Sequence, residues 1–72
     1  MSRQIVEVRP GDAKMAAVVR DVLRDNLDTI AKVTEKYPVE FALGGFRFVF
    51  VARAEIEDVI QRLDEELARL AA

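Results

Sequence analysis

Neither histidine nor cysteine occurs among the 72 residues of this chain. Their absence from the sequence removes the side chains that most often bind zinc, form disulfides or activate a nucleophile near neutral pH. The remaining hydroxyl groups are those of Ser2, Thr29, Thr34 and Tyr37, and no general base is spaced to serve any of them. Two acidic clusters, Glu55/Glu57/Asp58 and Asp64/Glu65/Glu66, have the residue types for acid–base work or for holding a hard cation. Both fall on helical positions that face water, and solvated helix charge accounts for them more simply. No catalytic, cofactor-binding or metal-binding residue is therefore assigned, and the chain reads as non-enzymatic.

Gly44-Gly45 has the composition of a phosphate loop but the wrong sequel. Such a loop delivers its amides into a helix N-terminus, whereas these glycines lead into Phe46-Arg47-Phe48, an alternating strand pattern. An aromatic and basic strand can stack single-stranded bases, but only if its rings are exposed. Here the phenylalanines share the face that the rest of the chain is expected to cover. The charge balance points the same way. Eleven basic and thirteen acidic residues, interspersed to a net charge of −2, provide no basic stripe for phosphates. Nucleic acid is disfavoured as a partner. A membrane is disfavoured too, since no run approaches the ~20 apolar residues of a spanning helix. Met1-Ser2-Arg3 opens into an alternating segment without signal-peptide character, so a soluble, cytoplasmic protein is expected.

The element that organises these residues is a β-hairpin from Val39 to Ala52. Its two alternating runs flank a Gly-Gly pair suited to the positive φ angles of a two-residue turn. That turn puts Leu43 opposite Phe46, Phe41 opposite Phe48 and Val39 opposite Phe50, all on one face. Glu40, Ala42, Arg47, Val49 and Val51 occupy the other, with Glu40 diagonal to Arg47 and able to pair with it. Upstream, Arg3 to Arg9 alternates as a first strand. Pro10-Gly11 marks a turn, and Asp12 suits the N-cap of the following helix.

That helix is expected from Ala13 to about Lys36, limited by Pro38. At 100° per residue its apolar face holds Met15, Val18, Val19, Val22, Leu23, Leu27, Ile30, Val33 and Tyr37. This is nearly half the circumference, against the ~100° that one packing layer requires. Such a helix has two things to touch. Asp28 and Lys32 stand in the favourable i,i+4 order. Asn26 interrupts the apolar face. It either meets its counterpart in a symmetric seam, where one polar residue fixes register, or bonds to a nearby carbonyl or water. A final helix from Ala54 to Leu70 carries a narrow stripe of Ile56, Val59, Ile60, Leu63, Leu67 and Leu70. Acidic residues fill its first turn, and Asp58–Arg62 and Glu65–Arg69 are ordered pairs.

The expected fold is one α+β domain over residues 1–72, with β-α-β-β-α order. A three-stranded sheet, its central strand Phe46–Val51, carries both helices on one face. A chain this short leaves only ~3–5 kcal/mol of net stability from a single core, so self-association is its natural supplement. The leading functional expectation is a small protein-interaction or assembly module. It would be a homodimer or higher homo-oligomer, an adaptor or a regulatory subunit, with itself and possibly another protein as partners and with no cofactor. The candidate interface residues are Met15, Val18, Val22, Asn26, Ile30, Val33, Arg47, Val49 and Val51. Three alternatives remain open. They are an idealised designed scaffold without natural function, a small DNA-linked regulator resembling an antitoxin dimer, and a subunit whose carboxylates bind a divalent metal between protomers.

Overall fold

The structure, a computed structural model, describes residues 4–72. Met1, Ser2 and Arg3 lie outside the described residues, and with them the Ser2 hydroxyl and the first residue of the expected N-terminal strand. The order is α-α-β-β-α. A 3-10 turn at Pro10–Asp12 leads into α1 (Ala13–Asp25), and α2 (Leu27–Thr34) follows. The hairpin strands are β1 (Val39–Leu43) and β2 (Phe46–Phe50), and α3 (Arg53–Ala71) closes the chain.

The hairpin turns on Gly44 (φ 57°) and Gly45 (φ 87°), the left-handed conformations for which glycine has no Cβ penalty. Its register pairs Val39 with Phe50, Phe41 with Phe48 and Leu43 with Phe46. These residues face the helices. Phe48 and Phe50 are buried and the other four are half-buried, whereas Glu40, Ala42, Arg47 and Val49 are exposed. Phe50 stacks on Phe48 at 5.9 Å between ring centroids, and Phe48 on Phe46 at 6.5 Å. Within α3, Ile56, Val59, Ile60 and Leu63 are buried. They meet Ala16, Val19 and Leu23 of α1 in a common core, where α1 and α2 both lie against α3. At the strand–helix junction the Glu55 carboxylate accepts a 2.7 Å bond from the Val51 amide, since the N-cap position holds Ala52.

Three expectations fail, each for a local reason. Among the described residues the sheet has two strands, not three. Residues 4–9 alternate correctly, but Val8 is drawn into the core and its backbone groups go to α3 instead of a ladder. The Val8 N–H donates to Glu66 Oε1 at 3.2 Å, and its carbonyl accepts from Arg69 Nη2 at 3.3 Å. β2 is consequently an edge strand, not the central one.

The helix expected over 13–36 is two helices. At Asn26 the backbone opens to φ −112°, ψ 15°, and the Val22 carbonyl accepts from both the Asn26 N–H (3.1 Å) and its side-chain Nδ2 (2.8 Å). A short amide side chain competing for its own helix's carbonyls is a known source of such breaks.

The third failure concerns caps and pairs. Asp12 occupies the N-cap position of α1 but makes no capping bond. Asp28 pairs with Arg53 at 2.8 Å instead of Lys32, and Arg69 pairs with Glu66 at 3.0 Å instead of Glu65. Asp58–Arg62 forms at 3.0 Å. Among the described residues Arg47 makes no ion pair with Glu40 or with any other acid.

The Val8 anchor is pH-sensitive. The hydrogen bond from Arg69, and after it the one from the Val8 amide, hold the Glu66 carboxyl below its ordinary value. A carboxyl depressed in the folded state contributes stability that is present above its unfolded value. That contribution is lost as pH falls through the folded one. The Val8 amide resonance is therefore expected to titrate with a midpoint below the usual glutamate range and to lose hydrogen-exchange protection on the acid side. Glu66→Gln should abolish the transition while other amides keep theirs.

Candidate protein-interaction surface

The apolar arc of α1 is divided along its length. Ala16, Val19 and Leu23 are buried against the core, while Met15 (36% exposed), Val18 (46%) and half-buried Val22 form a parallel stripe facing outward. These three recur at i, i+3 and i+7, so they stack along one side of the helix. Met15 ends the stripe at the hairpin, where its side chain closes over Gly44. On α2, Val33 is 45% exposed, but Ile30 turns inward and packs on the core. Tyr37, beyond α2, is exposed.

Asn26 is exposed, and its Nδ2 is bonded within the chain to Val22. Arg47, Val49 and Val51 are exposed at a second location, the outer side of β2. The candidate residues thus fall into two groups: Met15, Val18 and Val22 on α1, and Arg47, Val49 and Val51 on β2. Asn26, Ile30 and Val33 belong to the α1–α2 junction and to α2.

Charge frames the α1–α3 seam without entering it. Asp64 of α3 receives Arg20 at 3.0 Å and Arg24 at 2.8 Å, which bridges the two helices. Asp21, and less strongly Asp64, hold the Arg20 guanidinium above its usual value. Partly exposed pairs of this kind contribute little stability each, and they fix the angle between helices more than its strength. No buried side-chain nitrogen or oxygen lacks a hydrogen-bond partner among the described residues.

Chemical sites are sparse. A cleft of about 630 Å³ opens between α2 and the β2–α3 junction. It contains Lys32, Arg53, Asp28 and the hydroxyls of Thr29 and Thr34. Arg53 is bonded to Asp28, and the Thr34 hydroxyl donates to the Ala31 carbonyl at 2.6 Å. Among the described residues no three His, Cys, Asp or Glu side chains gather closely enough to hold a metal ion. No helix there is long and apolar enough to cross a membrane.

One residue with a role is not legible in the sequence. Gln4 bonds Val49 through both ends of its side-chain amide, and a lone glutamine before an alternating segment carries no signal of that. No family model matches the chain, and comparisons with curated proteins and with solved structures also give no match.

Proposed function

We propose that the chain is a non-enzymatic protein-interaction module that assembles with further copies of itself through the outward half of α1. The observation that carries this reading is the divided helix. α1 has an apolar arc wide enough for two packing layers, and its own chain supplies one of them. Met15, Val18 and Val22 remain partly open to water along a continuous line of two turns. A domain of this size gains much of its stability from whatever covers such a line. The rim is mixed in sign, with Lys14, Asp21 and Asp25 exposed beside the stripe, which suits register and selectivity more than attraction.

The test is solution mass by light scattering across a dilution series. The native chain is expected above monomer mass at high concentration and to fall toward it on dilution. Val18→Asp places an unpaired carboxylate in the contact, and it should weaken the association step through this face at least about tenfold. The fold should persist, because Val18 is half exposed in the free chain. A native chain that stays monomeric throughout ends the reading. Asn26→Leu separates the two roles open to the amide. A changed mass places Asn26 in the seam, and an unchanged one leaves it as a hydrogen-bond donor to its own helix.

A further inference from the structure

Among the described residues the outer edge of β2 is held by side chains in place of a strand. Gln4 Oε1 accepts from the Val49 N–H at 2.7 Å, and Gln4 Nε2 donates to the Val49 carbonyl at 2.8 Å. In an antiparallel ladder, facing residues of a hydrogen-bonded pair exchange both bonds with one another. The Gln4 amide therefore stands where the backbone of a residue opposite Val49 would stand. Alternation gives Arg47 and Val51 the same outward orientation. The Val51 N–H is held by the Glu55 carboxylate. Arg47 borders a cleft of about 470 Å³ between residues 5–9 and the turn end of the hairpin, and its guanidinium has no ion pair among the described residues.

We propose that this edge pairs antiparallel with the same edge of a second copy. The two-fold axis passes between the two Val49 residues, the two hairpins join into one four-stranded sheet, and Gln4 is the placeholder that blocks the edge in the free chain. This rests on the assembly reading above and adds a second contact to it.

Two observations favour a second copy over the chain's own residues 4–9 as the added strand. Val8 is tied to Glu66 and Arg69 of α3, and among the described residues the segment is hydrogen-bonded to β2 through the Gln4 side chain and not through a backbone ladder. The symmetric register is also complementary in charge. It sets Arg47 opposite the partner's Val51, beside Glu55 of the partner subunit. The unpaired guanidinium then meets a carboxylate whose amide donor has been taken over by the new ladder. On the core side Phe48 and Phe50 are already covered within their own chain. On the outer side half-exposed Val49 and Val51 gain cover. An edge plugged by two polar side chains is also how a sheet avoids uncontrolled pairing, so the plug regulates the contact as well as blocking it.

Because the chain contains no cysteine, single substitutions report on register directly. In a Val18→Asp background, Val49→Cys lies on the axis and is expected to oxidise to a covalent dimer. Arg47→Cys, four residues out of register with its own copy, lies roughly 13 Å from it, beyond the ~7 Å that a disulfide tolerates. Gln4→Ala removes the placeholder's two bonds and should tighten the dimer in the same background by about tenfold. Equal cross-linking at positions 49 and 47 would overturn the proposal, as would a Gln4→Ala change that leaves the dimer affinity unaltered. If the Val18→Asp chain is monomeric and Val49→Cys does not cross-link, the edge contact is wrong and assembly through α1 stands. If the native chain fails to associate through α1 while Val49→Cys alone cross-links, the edge contact stands by itself.

Discussion

Truncating Phe50 to alanine is expected to lower the melting temperature by about 20 °C or more at fixed protein concentration, and to abolish a cooperative transition at 37 °C. Phe50 is fully buried, stacks on Phe48, and lies in the core that Ile56, Val59 and Leu63 complete from α3. Removing a buried phenylalanine costs about 3–5 kcal/mol, through lost transfer energy and the cavity left behind. A domain of this length has roughly that much net stability in total. The loss should appear in chemical denaturation as a shifted midpoint with little change in slope. Glu40→Ala is the control. It sits on β1 opposite Val49, exposed on the other face of the hairpin, and should stay within ~0.5 kcal/mol of the native chain. If the two substitutions cost the same, the phenylalanine face of the hairpin does not pack into the shared core as described.

The contrast between those positions is legible in the amino-acid sequence, because period-two alternation and the Gly44-Gly45 turn leave one register in which the apolar face is continuous. α3 is legible for a similar reason, its stripe being narrow and its ends marked. Residues 4–9 mislead because alternation reports which side chains turn inward and is silent about where backbone hydrogen bonds go. Val8 does turn inward, but Glu66 and Arg69, 58 and 61 residues away, take its amide and carbonyl. The break at Asn26 is hidden because it preserves helical phase. The Asn26 N–H still reaches the Val22 carbonyl and the Ile30 N–H still reaches the Asn26 carbonyl, so a helical wheel runs through it undisturbed.

The surface shows the same division. The excess width of the apolar arc on α1 is readable from spacing alone, and Met15, Val18 and Val22 emerge along it. The edge of β2 is not, because an expected third strand would cover it. Only the Gln4 amide on Val49 reveals that the edge is plugged rather than paired.

The second large effect belongs to Gly44. An alanine there meets two costs that a double-mutant cycle can separate. The first is conformational. At φ 57° an L-residue with a Cβ loses about 1–2 kcal/mol relative to glycine. The second is steric, since a Cβ on Gly44 would overlap the Cγ and Sδ of Met15, which closes over the turn. Gly45 has a similar backbone (φ 87°) with open space where its Cβ would point, so Gly45→Ala reports the conformational cost alone. Gly44→Ala should therefore destabilise by about 1–2 kcal/mol more than Gly45→Ala, because Met15 must leave a packed rotamer. Met15→Ala, mild by itself because Met15 is over one-third exposed, should erase most of that difference when combined with Gly44→Ala. An additive double mutant would mean that Met15 does not close the turn. The stripe on α1 would then begin at Val18, and the hairpin tip would be free to move independently of the helix.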